Sequence, residues 1–360
     1  MAKKPKKNAV VTTPAVTWEN YEFKDDDFKL RGSAVDTKTD SNFASQSYWK
    51  DVRVRFFAKK SAVVSLILIV IFALLAIFGP KMTQYTYSSQ ILTEQNLAPR
   101  IPGLEKLGIF DGDEKMTTTT GTKVVNGYKD MGLDDTYYWF GSDTLGRDIW
   151  TRVWSGTQVS LIIAVVATVI NIIIGMVYGL ISGYFGGAVD SIMQRIAEVF
   201  NGIPRLVIVI LLLLVFEPGL VTIIIALILT EWIKMSRITR AEVLKFKEQE
   251  FVLASKTLGA KSMFIIFKNI LPNMIGPVIT QLMLSIPTAI FTEAFLSFVG
   301  LGIPQPMCSL GSLINDAFNS FTTHPYQILP PLIVMSLLML CFNLLADGLR
   351  DALDPKMKEM

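Results

Sequence analysis

The amino-acid sequence predicts an all-α polytopic membrane protein with six transmembrane helices and an extracellular insertion between the first two. Residues of the hydrophobic set make up 51% of the 360 residues and charged residues 18%, below the roughly 25% of soluble domains. Residues 61–79 contain no charge and, at about 1.5 Å per residue, nearly cross a bilayer. Five further apolar runs follow.

The segments before the first apolar run are polar. Residues 1–47 begin with a lysine cluster and continue through an acidic run, which predicts a largely disordered cytoplasmic tail. Residues 48–60 combine aromatic and basic side chains such as Trp49 and Arg53, which predicts a helix at the membrane interface. The first transmembrane helix then spans residues 61–79.

The later apolar runs predict the other five helices, which are Gln158–Ser182, Ile203–Phe216, Leu220–Met235, Met274–Gly300 and Tyr326–Ala346. The run from Ile203 is short, so its helix is expected to begin near Asp190 and to bend at Pro204. These helices form a five-helix core over residues 158–349, and residues 350–360 form a second cytoplasmic tail.

Residues 80–157 form the insertion. Turn signals at residues 111–113 and 126–127 stand among residues with strand propensity, which favours short strands. We therefore expect a small ordered extracellular domain, and the alternative is a long loop.

Lysine and arginine residues set the orientation. They precede the first span at residues 53–60 and follow the last at residues 350–358, whereas the turn around Glu217 contains none. Such residues are retained in the cytoplasm. The chain is therefore predicted to be a multi-pass plasma-membrane protein with both termini, and the basic loop 242–272, in the cytoplasm.

The loop 242–272 has an amphipathic pattern. Spacings of three and four residues predict a helix with a stripe of Phe251, Ala254, Ser255 and Leu258. Gly259 ends this helix, and a second one is expected to contain Phe264 and to end at Pro272. Such a helix–glycine–helix segment suits docking into a partner; the alternative is an amphipathic loop with no partner.

The order of Ala254-Ser255, Gly259-Ala260 and Leu271-Pro272 resembles the EAA loop of the membrane subunits of bacterial ABC importers. The stretch as a whole is similar to the peptide and nickel branch, although Leu253 stands where the consensus has glutamate. The resemblance implies a type I ABC importer permease fold. It also implies that the loop couples the chain to an ATPase through Phe251, Ala254, Ser255, Leu258, Gly259, Ala260, Leu271 and Pro272.

Two further motifs resemble the same branch. Residues 140–148, FGSDTLGRD, are similar to its GTDxxGRD motif, and residues 183–190 to its GYxGGxxD motif. Charge-assisted hydrogen bonds among the charged residues of the first would cross-link a turn, and the glycines of the second permit close helix packing. These structural roles fall to Asp143, Gly146, Arg147, Asp148, Gly183, Gly186, Gly187 and Asp190.

Glu293 is an ionisable residue within an apolar span. An intramembrane carboxylate is costly, so Glu293 is a candidate for a gate or for the translocation pathway. The alternative is a carboxylate that hydrogen-bonds to neighbouring groups and fixes helix packing. The sequence shows no His, Cys, Asp and Glu cluster with metal-ligand spacing, so no metal site is predicted.

The sequence contains no G-x-x-x-x-G-K-[ST], H-E-x-x-H or G-x-S-x-G motif, which predicts a transport subunit and not an enzyme. The resemblance places ATP and Mg on two partner ABC ATPase subunits and no cofactor on this chain. It also implies a second homologous permease, an extracellular solute-binding lipoprotein, a peptide substrate and membrane lipid. The net charge of +3 is too small to suggest nucleic acid.

The resemblance thus implies the transmembrane subunit of an ATP-driven oligopeptide importer. The long insertion and extended N-terminus are similar to the second, C-type, oligopeptide permease subunit of Gram-positive bacteria. Alternatives are a dipeptide or nickel permease of the same family, an ion-coupled secondary transporter, or a membrane scaffold or receptor.

Overall fold

The computed structural model describes residues 48–118 and 121–353, so the predicted tail 1–47 and most of the tail 350–360 lie outside the described residues. Helix α1 (Tyr48–Ala58) precedes the first membrane helix, α2 (Lys60–Phe78). Val52 and Phe56 of α1 are buried, whereas Trp49 and Phe57 are exposed. One face of α1 therefore packs on the protein and the other presents aromatic side chains.

The segment after α2 contains short turns, a β-hairpin and one short helix. Strands β1 (Asp113–Thr118) and β2 (Gly121–Asn126) pair antiparallel, and helix α3 (Gly127–Met131) follows. The predicted turn signals at residues 111–113 and 126–127 lie at the open end of this hairpin. Leu97, Tyr128 and Tyr138 form a small apolar core in this segment, and burial raises the pKa of the Tyr138 phenol far above its usual value.

Helix α4 (Ile149–Phe185) begins well before the predicted Gln158. The cause is a cap: the Asp148 carboxylate accepts hydrogen bonds from the backbone N–H of Thr151, at 3.1 Å, and from its hydroxyl, at 2.5 Å. The irregular insertion therefore ends at residue 148 rather than at residue 157.

The predicted third span is broken. Helices α5 (Gly187–Gly202) and α6 (Arg205–Val215) meet at an angle of 81°. Ile203 is extended, with φ −85° and ψ 125°, because the ring of Pro204 disfavours a helical conformation in the residue before it. The helix start expected near Asp190 and the bend expected at Pro204 are both present, but the helix is interrupted at the bend rather than continuous.

Helix α7 (Leu220–Phe246) continues eleven residues beyond the predicted end of the fourth span at Met235. Among the described residues, four helices are long and apolar enough to cross a membrane, and the α5–α6 pair makes five if it is taken as one broken span. The first 18 residues of α7 carry Glu231, Lys234 and Arg237, so α7 has the length of a span but not the apolarity of the others. Six helical segments thus occupy the predicted positions, and all of them except α7 have the length and apolarity of a span when α5 and α6 are taken together.

The remaining elements complete the bundle. They are α8 (Glu250–Thr257), α9 (Ser262–Phe264), a π-helical stretch (Ile265–Ile270), α10 (Leu271–Asn273), α11 (Ile275–Phe298), α12 (Leu310–Phe318) and α13 (Leu329–Leu353). The largest core lies where α2, α4, α11 and α13 meet, around Trp154, Ile290 and Leu338. This core positions the segment between α7 and α11 at one end of the bundle and the insertion at the other.

Candidate functional site

The segment from α8 to α10 begins with a glycine-terminated helix. The N–H of Gly259 donates to the carbonyl of Lys256, at 3.0 Å, and the N–H of Ala260 donates to the carbonyl of Ser255, at 3.1 Å. This is a Schellman motif, which places its glycine in the left-handed region, and Gly259 has a φ of +80°. The helix stop predicted from the glycine is therefore present, with its hydrogen bonds.

The segment has one face buried and one exposed. Val252, Ile265 and Ile270 pack against Val243 of α7 and Leu180 of α4. Large apolar side chains point away from the protein, with Leu258 89% exposed; the others are Phe251, Leu253, Met263, Phe264 and Phe267. Ala254 is also exposed, and Ser255 is partly buried. The predicted stripe therefore faces away from the core.

The predicted end of the second helix at Pro272 is wrong. The helix continues from α9 through the π-helical stretch and α10 into α11, with only a turn at Met274. The N–H of Leu271 donates to the carbonyl of Ile266, five residues earlier, so the chain is already out of the α-helical register when Pro272 arrives. A residue without an N–H is tolerated there because it occupies the first turn of α10.

A side-chain contact ties the two parts of the segment together. The Asn269 amide nitrogen donates to the Ser255 hydroxyl at 2.6 Å, and that hydroxyl donates to the carbonyl of Phe251 at 2.9 Å. The segment, which we call the coupling segment (residues 250–273), is thus a cross-braced unit.

Small residues allow α4 and α7 to approach closely. A Cβ on Gly183 would lie 2.9 Å from the Cβ of Val243, and one on Gly179 would lie 2.4 Å from the carbonyl oxygen of Ser236. Gly175 makes the same kind of approach to Trp232. Only Gly183 is among the predicted residues, although the four-residue spacing of the three glycines is a recognisable signal of helix packing.

The turn between α4 and α5 is fixed by an ion pair. Gly186 and Gly187 both have positive φ, +65° and +54°, which glycine adopts without strain. The Arg240 guanidinium on α7 donates both Nε and Nη2 to the Asp190 carboxylate, each at 2.6 Å, and the hydroxyl of Ser182 donates to Asp190 at 2.5 Å. Asp190 therefore joins α4, α5 and α7.

The GSDTLGRD turn is built around Asp143. Its carboxylate accepts from the backbone N–H groups of Leu145 and Arg147, at 2.9 and 3.0 Å, and from the Arg147 side chain at 2.6 Å. Gly146 has a φ of +69°, and a Cβ there would lie 1.9 Å from the carbonyl oxygen of Ile91. The turn therefore requires glycine both for its conformation and for its contact with the insertion.

Asp148 does not join this cross-link, contrary to the prediction, because it caps α4. Burial raises the pKa of the Asp148 carboxyl, and the hydrogen bonds from Thr151 oppose that shift. The second carboxylate of the cluster is Asp316 on α12, which lies 3.2 Å from Arg147 and 3.4 Å from Arg152.

The two arginines of this cluster are almost completely enclosed, since their side chains are 2% and 1% exposed. Burial raises the pKa of the Asp316 carboxyl, and Arg152 and Arg147 oppose that shift. No pairing for Asp316 was predictable from the sequence, because it lies more than 160 residues beyond both arginines. This charged cluster joins the turn, α4 and α12.

Glu293 is enclosed by three elements. It is 0% exposed, and its carboxylate accepts from the hydroxyls of Ser160 on α4, at 2.9 Å, and Ser297 on α11, at 2.7 Å. Ser309, the N-cap of α12, donates to Ser297. These contacts are those of a carboxylate that fixes helix packing, and they favour that alternative over a position on the pathway.

The site residues therefore fall into four groups: the coupling segment, the α4–α7 contact with Asp190, the charged turn, and the Glu293 cluster. Within the described residues, no group of three or more His, Cys, Asp and Glu side chains could hold a metal ion. Apolar helices of membrane-spanning length define a multi-pass membrane protein, and the segment between α7 and α11 adds an exposed apolar surface.

Comparison with known families identifies the class further. Residues 175–359 match the family described as binding-protein-dependent transport system inner membrane component, and residues 47–99 match the N-terminal TM domain of oligopeptide transport permease C. The chain belongs to this family of binding-protein-dependent permeases. The family predicted from the motifs is confirmed, and the chain is a transport subunit and not an enzyme.

Named relatives are similar over most of their length. The oligopeptide transport system permease protein OppC of Bacillus subtilis is 42% identical over 88% of this chain and 92% of its own. The dipeptide permease DppC of the same organism is 42% identical over 87% and 88%, and OppC of Escherichia coli K12 is 36% identical over 90% and 98%. Among solved structures, the inward-facing MetNI methionine ABC transporter has a TM-score of 0.48 at 17% identity, covering 56% of this chain and 96% of its own.

Proposed function

We propose that this chain is the transmembrane subunit of an ATP-driven importer of oligopeptides. The observation that carries this proposal is the similarity to oligopeptide permeases over nine-tenths of their length. A dipeptide permease is as similar as one oligopeptide permease, so a peptide is the substrate class in both cases. A match to the N-terminal domain of oligopeptide permease C supports the longer substrate.

The chain forms the pathway together with a second, homologous permease subunit, and two ATPase subunits carry ATP and Mg. An extracellular solute-binding protein delivers the peptide. Both termini and the coupling segment lie in the cytoplasm, and residues 80–148 lie outside. The basic residues near α1 and after α13 support this orientation.

The coupling segment transmits the movement of the ATPases. Its exposed side chains, above all Leu258, Phe264 and Phe267, have the apolar character that fits a groove in a partner. Its buried side is fixed to α4 and α7, so displacement of the segment would move both helices. Closure of the ATPases would thereby convert the pathway from one access state to the other.

Uptake by the reconstituted complex tests this function against its rivals. Proteoliposomes that contain both permeases and the ATPases should accumulate a labelled oligopeptide only with ATP and the solute-binding protein. Uptake driven by an ion gradient without ATP would indicate a secondary transporter. Absence of uptake under every condition, with ATPase binding intact, would indicate a scaffold.

Cysteine crosslinking tests the docking surface. Leu258→Cys should crosslink to the ATPase subunit, because that side chain is 89% exposed at the centre of the segment. Ile109→Cys is the matched control, since Ile109 is an exposed apolar residue of the insertion. Crosslinking of the ATPase to position 109 and not to position 258 would reverse the proposed orientation.

A further inference from the structure

An ion pair lies inside the membrane region of the bundle. Arg205 Nη2 on α6 is 2.7 Å from Glu231 Oε1 on α7, and Arg205 Nη1 donates to the hydroxyl of Thr292 on α11 at 3.1 Å. The guanidinium thus links α6 to α7 and α11. None of the family motifs described above includes Arg205 or Glu231.

Counting residues from the turn between α6 and α7, taken as the membrane surface, places the pair near the middle of the membrane. Glu231 is eleven residues from the start of α7 at Leu220, and Arg205 is ten residues from the end of α6 at Val215. At a rise of about 1.5 Å per residue, both lie roughly 15 Å from that end of their helices. This is half of the roughly 30 Å thickness of the hydrocarbon core.

The charges face an open side of the chain. The Arg205 side chain is 43% exposed and that of Glu231 is 17% exposed. Lys234 and Arg237 follow along α7 at three-residue spacing, and both are exposed. Charged side chains at the depth of Arg205 and Glu231 face a bundle interior or a water-filled cavity and not lipid. This face is therefore turned away from lipid, toward a partner helix or a water-filled pathway.

The backbone beside Arg205 supports the same conclusion. Arg205 is the first residue of α6, directly after the break at Ile203 and Pro204. Non-helical backbone at membrane depth is tolerated where it is buried in protein or lines a cavity, and Ile203 and Pro204 are exposed on this chain. In secondary transporters, broken helices near the membrane midplane form the substrate site, which is a precedent for substrate contacts at such a break.

We propose that Arg205 and Lys234 bind the carboxylate of a peptide during its passage, and that Glu231 holds the Arg205 guanidinium in position. Arg205 and Lys234 against the single carboxylate of Glu231 leave this region with a net positive charge, and a guanidinium binds a carboxylate through paired hydrogen bonds. The inference rests on the proposed import of peptides and adds the contact residues and the recognised group.

A pair of peptides that differ only at the C-terminus provides the test. One carries a free carboxylate and the other an amide, and both have uncharged side chains. Uptake into proteoliposomes is measured for each variant complex relative to the unaltered complex, so that any preference of the solute-binding protein cancels. Arg205→Gln and Lys234→Gln should lower uptake of the free acid roughly tenfold and leave the amide within about twofold.

Two controls separate recognition from structure. Arg195→Gln on α5 removes an exposed arginine that pairs with Glu198. It should leave the uptake of both peptides unchanged. Exchange of the pair, Arg205→Glu with Glu231→Arg, re-forms the ion pair. This variant should assemble like the unaltered complex in size-exclusion chromatography but should lack its preference for the acid.

Equal loss of acid and amide uptake in both Gln variants would overturn the inference and leave the ion pair a structural cross-link. Lys234 does not take part in that ion pair, so its variant remains informative even if Arg205→Gln fails to assemble. If the unaltered complex takes up neither peptide with ATP, the proposed function itself is wrong and this inference falls with it.

Discussion

Gly259 is the position at which one methyl group should weaken coupling without touching any neighbour. A Cβ at Gly259 would meet no heavy atom within 4 Å, and the φ of this residue is +80°. The cost of Gly259→Ala is therefore conformational. It amounts to about 1–2 kcal/mol for a residue with a Cβ in the left-handed region.

This cost acts on the hydrogen bonds that end α8. In the variant, the N–H groups of residues 259 and 260 can keep their hydrogen bonds only if residue 259 stays in the left-handed conformation. Otherwise the Schellman motif is lost and Leu258 is displaced. If the ATPase binds the ordered segment, about 1–2 kcal/mol lowers its affinity roughly 5- to 30-fold. Asparagine tolerates the left-handed region better than alanine, so Gly259→Asn should lower the affinity for the ATPase less than Gly259→Ala.

Titration of the purified permease pair with the ATPase subunits measures this affinity. The affinity for the ATPase should be highest with Gly259, lower with Asn at this position, and lowest with Ala or Leu. Peptide uptake should fall in the same order. Gly276→Ala is the control, because a Cβ there makes only an ordinary contact of 3.5 Å with Leu353. Equal affinity of the unaltered protein and the Gly259→Ala variant, or normal uptake by Gly259→Leu, would refute the reasoning.

Three further predictions concern packing and the insertion. Gly179→Val should prevent α4 from packing on α7, because even a Cβ would lie 2.4 Å from a backbone oxygen; loss of the folded permease peak in size-exclusion chromatography measures this. Asp316→Asn should lower the stability of the complex by about 1–3 kcal/mol, seen as a lower thermal midpoint, because the enclosed Arg152 loses a carboxylate; an unchanged midpoint contradicts this. Replacement of residues 114–125 by two glycines removes the hairpin and the contact of Glu114 with His324. Assembly should persist, and the lowered peptide uptake should recover in part with excess solute-binding protein.

The replacement is limited to residues 114–125 because other parts of the insertion contact the GSDTLGRD turn. The hydroxyl of Ser142 donates to the carbonyl of Glu94, and the N–H of Leu97 donates to that hydroxyl. Gly146 packs directly on Ile91. A deletion of residues 85–130, which a simple accessory loop would tolerate, would therefore remove the partners of the GSDTLGRD turn. Removal of the hairpin alone leaves these contacts intact.

The sequence predicted best those features that depend on neighbouring residues. The uncharged run gave α2 almost to the residue, and the spacing of apolar residues before Gly259 gave α8 and its stop. Helix ends were harder to predict from the sequence, because each depends on a single capping residue or on a local change in the hydrogen-bond register. Asp148 extends α4 by capping it, and the π-helical register lets the chain pass Pro272.

Long-range pairing explains what the sequence could not supply. Glu293 was recognisable as costly from its apolar surroundings, but its partner Ser160 lies on α4, and Ser309, which donates to its other partner Ser297, precedes α12. Arg205 lies in a short apolar run, and Glu231 lies in a span that is more charged than the others. Each charge therefore weakens the prediction of its own helix as a membrane span. Only the packing of α6 against α7 brings them together. The same two charges that make these spans hard to predict therefore mark the face of the bundle that we propose is turned away from lipid.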